Sequence, residues 1–303
     1  MHKETSSQHS GTIIDESNGF QVIDCQNCGF KHVYPLPTLD ELEKIYRHDY
    51  YTSDKPLFLQ ETEEDKYWWR NVYSDRFDTL EEFLPASARR ILDVGSGPGY
   101  FVSYGMSRGW QAIGIEPSSR ACEHARSLGA EIVENFFNQD TAASLGKFDA
   151  IYANAVLEHI PNPRDMISLM RESLLPKGIL CVVVPNDYNP FQETLRKYEG
   201  YRPWWVAPPH HLNYFNFETL SKLLTSEGFE VILKETTFPI DMFLLMGENY
   251  VDSSELGRAC HKKRMRFDIQ LSQSNQNHVK RNFYQALASV GLGREVVLFA
   301  RKV

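Results

Sequence analysis

The stretch from Arg90 to Phe101, Arg-Ile-Leu-Asp-Val-Gly-Ser-Gly-Pro-Gly-Tyr-Phe, constrains this chain more than any other. Ile91, Leu92 and Val94 make a short apolar run suited to a strand buried on both faces. Gly95, Gly97 and Gly99 remove side chains where the backbone must turn tightly, and Pro98 pre-sets φ for a first helical turn. A strand, a glycine turn and a helix start in this order let a ligand touch bare backbone. The N–H groups of the turn, expected to be free at a helix N-terminus, favour an anionic or polar ligand group.

Two cofactor classes use such a turn, and glycine spacing separates them. The dinucleotide fingerprint places its third glycine, or an alanine, where this chain has Tyr100; here the third glycine comes one residue early. With Asp93 two residues before Gly95, the run resembles motif I of class I S-adenosylmethionine (SAM) dependent methyltransferases. Glu116 ends the apolar strand Gln111–Glu116, 21 residues beyond Gly95, and Pro117 stops that strand. A carboxylate there can accept both ribose hydroxyls of a nucleotide, a device that NAD enzymes share, so it supports a nucleoside cofactor without choosing one.

The block Phe148 to Pro163 tips the choice. Its Phe-Asp start and its Leu157-Glu158-His159-Ile-Pro-Asn-Pro163 end resemble motif IV and its sequel in methyltransferases of ubiquinone biosynthesis and sugar modification. The resemblance implies that Asp93, Gly95, Gly97, Gly99, Glu116, Asn135, Phe136 and Asn154 hold SAM. It also implies a metal near this motif in some relatives, through a Glu that Ala155 replaces here, so ligand count argues against metal-assisted methylation. His159 is either a chemical group or a packed, hydrogen-bonded one.

Later segments extend the same pattern. A helix with Met166, Ile167, Leu169 and Met170 on one face leads to a turn at Leu175–Gly178 and the fully apolar strand Ile179–Val184. The alternation of strand and helix predicts an open α/β sheet with right-handed crossovers. The expected fold is a Rossmann-like, seven-stranded, mostly parallel sheet with helices on both faces and, as the resemblance implies, an antiparallel last strand at Arg294–Arg301. Asn216 caps a helix that Gly228 ends. The run His210-His211-Leu-Asn-Tyr-Phe-Asn216 before that helix resembles sugar-pathway methyltransferases, which implies that His210 or His211 faces the acceptor as base or orienter, with His159 next.

The front of the chain has its own organisation. Residues 1–18 read as a loosely held polar arm, and Phe20 to Pro37 as a hairpin about one Cys25-x-x-Cys28-Gly turn. Residues 37–54 give a capped short helix ending in Asp-Tyr-Tyr. This order resembles the front end of bacterial sugar- and glycan-pathway methyltransferases, which carry a zinc ribbon. A structural zinc takes four ligands, and no second cysteine pair precedes residue 122. The expected state is a hairpin with plain thiols at Cys25 and Cys28 and no metal, with His9 and His32 as the residues that could complete a set. Domain boundaries are expected at 1–62 for this segment and 63–303 for the catalytic domain, with insertions 187–216 and 240–290 covering the acceptor. The helix over 63–84, expected to pack beside the cofactor site, carries Tyr67, Trp68 and Trp69, an aromatic stripe that either covers the ligand or, as such stripes more often do, packs as core. The basic run His261–Arg266 is either a phosphate-holding patch or a solvated helix face.

A net charge of −8 argues against a nucleic acid backbone as the main partner, since phosphate binding needs clustered cations, while leaving room for a local basic pocket. No apolar run approaches ~20 residues and Met1–Gly19 lacks a hydrophobic core segment, so a cytoplasmic location without membrane contact is expected. The expected activity is O-methylation of a sugar, nucleotide sugar or glycan-related small molecule from SAM. The alternatives are a phenol or quinone-precursor acceptor, or a SAM-binding or metal-knuckle interaction module without turnover.

Overall fold

The computed structural model describes residues 9–47 and 56–303. Among them the strands form two sheets of four and seven strands. The chain runs β1 (Gly11–Ser17), β2 (Phe20–Cys25), β3 (Lys31–Tyr34), α1 (Leu39–Lys44), α2 (Phe58–Glu64), α3 (Lys66–Phe83), β4 (Arg90–Val94) and α4 (Tyr100–Ser107). It continues through β5 (Gln111–Glu116), α5 (Ser119–Ser127), β6 (Glu131–Glu134), α6 (Gln139–Leu145), β7 (Phe148–Asn154), a 3-10 turn at Leu157–His159, α7 (Pro163–Ser173) and β8 (Leu174–Pro185). The last elements are α8 (Pro190–Tyr198), β9 (Asn213–Tyr214), α9 (Phe217–Ser226), β10 (Phe229–Glu235), α10 (Asp241–Leu245), α11 (Ser254–Gln273), α12 (Asn277–Ser289) and β11 (Glu295–Lys302).

The large sheet has the order β10-β11-β8-β7-β4-β5-β6. β4, β5, β6, β7 and β8 pair in parallel, and β11 inserts antiparallel between β8 and β10, as expected for the α/β fold. Ile179 to Val184 of β8 are all buried between two helical layers, each such aliphatic side chain adding roughly 1.5–3 kcal/mol of burial. The strand order reverses beside β4, which places a crevice at the carboxyl ends of β4, β5 and β7, where ligands of open α/β sheets bind. Helix starts follow the caps legible in the chain: Asn138, Asn162, Asn189 and Asn216 each accept backbone N–H groups of the helix they open.

Four details depart from the sequence reading. Residues 11–17 are not a loose arm but strand β1, paired with β2 from Gly11↔Cys25 to Ser17↔Phe20. Leu175–Gly178 is not a turn before a strand; β8 starts at Leu174 and absorbs these residues as a bulge, with Lys177 at φ 61. The first insertion contributes β9, which pairs with β3 and fastens the N-terminal sheet to the catalytic domain. The proposed boundary at residue 62 falls inside α2. Residues 48–54 of the expected short helix lie outside the described residues.

The second insertion buttresses α3. Trp68 Nε1 donates to Asp268 Oδ2 at 2.7 Å, Lys280 pairs with Asp75 at 2.7 Å and Arg258 with Asp65 at 2.6 Å. Lys280 and Asp268 are buried, so each charge depends on its partner there.

Candidate cofactor and acceptor site

A cavity of about 350 Å3 opens at the carboxyl edge of the sheet. Of the residues expected to hold a cofactor, Asp93, Gly95, Gly97, Glu116, Asn135, Phe136 and Asn154 line it, and Gly99 does not. Gly99 has a packing role instead: at φ +79 it caps α4, and a Cβ there would stand 2.4 Å from Ala125 Cβ. Gly95 faces the cavity at φ +69, and a Cβ would meet Val156 Cγ2 at 2.8 Å.

The N–H groups of the turn are not free, which corrects the cradle expected from the sequence. Gly95 and Ser96 both donate to the Ile115 carbonyl, at 2.9 and 3.2 Å. Gly97 donates to Glu116 Oε2 at 3.0 Å, and Ser118 donates to Glu116 Oε1 at 2.9 Å. The turn therefore clears side chains from the crevice and fixes the Glu116 carboxylate. Each Glu116 oxygen keeps one accepting direction for a hydroxyl. Burial raises the Glu116 carboxyl to about 7 against the opposing pull of the Ser118 and Gly97 N–H groups. Burial, and then the neighbouring Glu116, raise Asp93 well above the usual carboxylate range.

The wall facing the glycine turn comes from α2 and α3, through Phe58, Thr62, Trp69 and Tyr73. The aromatic stripe is split by helical geometry. Tyr67 points outward, Trp68 is buried on Asp268, and Trp69 turns to the cavity, stacked on Tyr73 at 5.7 Å. The Trp69–Tyr73 spacing of four residues was the available signal, because it puts both on one helix face. Tyr46 is a second lining residue that the sequence did not single out. Among the described residues, neither insertion lines the cavity, contrary to the cover expected of residues 187–216 and 240–290.

At the other end of the cavity stands His159. Its Nδ1 lies 2.6 Å from the His210 carbonyl, to which only an Nδ1–H can donate, so the neutral ring carries its lone pair on Nε2. Tyr46 packs edge-on to this ring at 5.5 Å and donates its hydroxyl to the same carbonyl at 3.2 Å. His211 meets His159 edge-on at 5.1 Å and is not on the cavity wall. His159 is thus the histidine placed at the cavity, His210 orients it through its backbone, and His211 stands behind. This reverses the order expected from the sequence.

The loop bearing His159 is fixed by its neighbours. Leu212 N donates to the Glu158 carbonyl at 2.7 Å, and Asn213 Nδ2 donates to the carbonyls of Leu157 and Ile160 at 2.9 and 2.7 Å. Ala155, at φ 54, sits in the left-handed region on the cavity wall, a strain of order 1–3 kcal/mol held by surrounding contacts. Glu158 is fully buried, 3.8 Å from His159 Nε2, and its Oε2 has no hydrogen-bond partner among the described residues. Burial raises its carboxyl to about 8, with Asp187 and Glu295 adding to the effect.

Glu158, His159 and His211 present donor atoms within 4.8 Å of one another, so His211 supplies the third donor that Ala155 withholds from the ligand count. A single carboxylate already shifted toward its protonated form suits proton transfer better than a hard cation, which takes several oxygen ligands. A second group, His9, Cys25, Cys28 and His32, meets the same distance limit, and it brings to the cysteines the two histidines that the sequence offered as completing a set. The five cysteines form no disulfide. The basic run of α11 is divided: His261 Nε2 lies 2.8 Å from Asp65 Oδ2 and Arg264 stacks over Trp68 at 4.8 Å, whereas Lys262, Lys263 and Arg266 are exposed, Lys263 pairing with Glu248. It lines no part of the cavity.

No helix among the described residues is long and apolar enough to cross a membrane. Residues 68–234 match the family model described as a methyltransferase domain. A ubiquinone biosynthesis O-methyltransferase of Actinobacillus pleuropneumoniae is 31% identical over 120 residues, covering 36% of this chain and 49% of that protein. A trans-aconitate 2-methyltransferase of Methylobacterium nodulans is 27% identical over 171 residues, covering 53% of this chain and 65% of that one. The chain thus spans about half the length of the first of these curated relatives and just under two thirds of the second. Among solved structures, a magnesium protoporphyrin IX methyltransferase from Synechocystis PCC 6803 with bound S-adenosylhomocysteine superposes with a TM-score of 0.51 at 14% identity, covering 84% of this chain and 97% of that one. A SAM-dependent methyltransferase from Archaeoglobus fulgidus gives a TM-score of 0.50 at 16% identity, with 77% and 94% covered. At such identities these two speak for the α/β fold.

Proposed function

The chain belongs to the methyltransferase-domain family, and on that premise we propose that it is a SAM-dependent O-methyltransferase whose acceptor is a small hydroxylated molecule. The observation that carries this reading is the single cavity joining the Glu116 carboxylate at one end to the His159 ring at the other. The residues present fit SAM. Glu116 offers two oriented oxygens for ribose hydroxyls, Phe136 an apolar face for adenine, and Asn154 a polar group toward the methionine end. Ser96 Oγ is buried at the turn against Gly114 of β5, with no partner among the described residues.

SAM supplies a methyl group already activated on a sulfonium. The protein's work is then alignment and exclusion of water, which account for most of the gain expected in such a displacement. Trp69, Tyr73 and Phe58 close the cavity over the glycine turn and keep water out. His159, held by the His210 carbonyl, takes the acceptor's hydroxyl proton on Nε2 as the oxygen gains the methyl. Buried Glu158 stands 3.8 Å from that nitrogen, where its carboxylate form stabilises the imidazolium that results.

The surroundings of His159 favour a phenol or similar acceptor with few hydroxyls. Tyr46, Val156, Ile160 and Met166 offer mainly apolar surface there, which would leave a sugar's further hydroxyls unpaired. A sugar or nucleotide sugar is the second reading, supported by the likeness of the N-terminal segment to glycan-pathway enzymes. The test is incubation with SAM and a panel of catechols, hydroxyquinones and nucleotide sugars, read by mass spectrometry for the gain of one methylene. Methylation of the phenolic set is expected. Methylation of the nucleotide sugars alone would overturn the acceptor assignment, and SAM binding without turnover on any panel member would favour the binding-module alternative.

A further inference from the structure

We infer that His9, Cys25, Cys28 and His32 form a structural zinc site, a Cys2His2 set that fastens the back of the acceptor loop. This assignment is independent of the methyl-transfer reading, because it rests on a cluster outside the cavity.

The donors converge through strand pairing. β2 ends at Cys25, and the Gly29 N–H closes the Cys25–Cys28 knuckle on the Cys25 carbonyl at 3.0 Å. Gln26 N donates to the Ser10 carbonyl at 2.9 Å, which draws His9 against the knuckle. β3 returns His32 to the same point, opposite Ile23. His9 Nδ1 lies 3.1 Å from His32 Nε2, and Cys28 Sγ lies 3.4 Å from His9 Nδ1. A tetrahedral zinc with bonds of about 2.0–2.1 Å to nitrogen and 2.3 Å to sulfur spaces its donors by roughly 3.3–3.8 Å. The four donor atoms all lie within 4.8 Å of one another, so small side-chain adjustments complete the tetrahedron.

The protonation of His32 agrees with this use. Its Nδ1 stands 2.8 Å from the Val33 carbonyl, which fixes the proton on Nδ1 and turns the Nε2 lone pair into the cluster. A second-shell carbonyl on the remote ring nitrogen is the support that metal-bound histidines ordinarily have. Two thiols with two imidazoles select zinc over magnesium or calcium. A cleft of about 300 Å3 between Cys28, His32 and residues 161–164 gives an entry path.

The site connects to His159 by an unbroken ladder. His32 pairs in register with Asn213, and Asn213 holds the carbonyls of Leu157 and Ile160. Val33 N donates to the Leu212 carbonyl at 2.8 Å, and Leu212 N donates to the Glu158 carbonyl. Zinc would therefore keep β3 in place behind the loop that presents Glu158 and His159, without touching substrate.

Elemental analysis of the full-length chain, purified with reducing agent and without chelator, should find one zinc per chain. The cobalt-substituted protein should show the visible bands of a tetrahedral ion with thiolate charge transfer. Cys28→Ser should lose the charge-transfer signal. His9→Ala, on the rim and less able to disturb folding, should weaken zinc by more than the roughly 10–100-fold that losing a supporting hydrogen bond costs. Hydrogen exchange at residues 157–160 and 211–214 should speed up when zinc is chelated. A reduced, folded chain with neither zinc nor a cobalt spectrum would overturn the site, as would full zinc affinity in both variants. Unchanged exchange on chelation would overturn its positioning role.

Discussion

The two ends of the cavity are built by different means. At the cofactor end the parts are local: Gly95, Gly97 and Asp93 lie within five residues, and the Glu116 that completes them sits on the neighbouring parallel strand, held by the Gly97 backbone. At the acceptor end Tyr46, His159, His210 and His211 come from three distant segments, brought together by the β3–β9 pairing and by the bonds of Leu212 and Asn213 to the Leu157–Ile160 turn. The first end is shaped by backbone and tolerates little side-chain volume. The second is shaped by side chains and their hydrogen bonds, so its chemistry can change while the first end stays the same. If that contrast is right, substitutions should separate cleanly into those that affect cofactor binding and those that affect turnover.

The largest separation is expected at the acceptor end. His159→Asn keeps a donor for the His210 carbonyl and removes the Nε2 base, and should lower kcat by roughly 100–1,000-fold, within the range for a general base. A loss under tenfold with the best acceptor would move the proton transfer elsewhere. Next is Glu116→Ala, which removes two oriented acceptors. At about 1.5–3 kcal/mol for a hydrogen bond to a charged group, SAM affinity should fall by on the order of 10–100-fold in calorimetry, with turnover at saturating SAM mostly retained. If kcat collapsed while affinity held, the two ends would not be separable.

Two further substitutions sharpen the contrast. Gly99→Ala forces a side chain into a left-handed position against Ala125 and should cost roughly 1–3 kcal/mol in denaturant unfolding, although Gly99 lines no cavity. His211→Ala, behind His159, should lower kcat by less than about tenfold. A larger effect there would make His211 the proton acceptor.

Titration gives the smallest and broadest signal. Glu116 and Glu158 are raised by burial to about 7 and about 8, so the folded chain holds protons that the unfolded chain has released. The folded state then binds more protons than the unfolded one, and stability falls as pH rises through this range. His261, lowered to about 4 by burial and then by Arg264, gives the opposite slope, but that slope ends near the ordinary histidine pKa of about 6.5. Above about pH 6.5 the Tm of the ligand-free protein should therefore decline, and Glu158→Gln should flatten the decline between about pH 7 and 8. A Tm that rises over that interval would contradict the assigned protonation.

How much of this was legible in the sequence follows the same division. The large, mostly parallel sheet with its antiparallel last strand and the residues of the glycine turn could be read because the strand–turn–helix period and the caps are local signals, whereas the place of that last strand between β8 and β10 is set by long-range pairing. Even there the N–H groups expected to be free proved to be satisfied by Ile115 and Glu116, since hydrogen bonds to the adjacent strand do not show in one segment. The order among the three histidines could not be read, because it depends on whether a ring or a backbone carbonyl faces the cavity. Trp69 was passed over for a similar reason, its neighbour Trp68 being buried on the second insertion. His9 and His32 could be named beside Cys25 and Cys28, but that the four converge depends on strand pairing, which sequence spacing does not register.

The division between the two ends is tested most directly by titrating SAM into the His159→Asn variant by calorimetry, beside the wild-type chain. Affinities within about threefold of each other are expected, because His159 serves the acceptor and the Glu116 end is intact. A loss of SAM binding greater than tenfold in this variant would contradict that division and place His159 in the cofactor site.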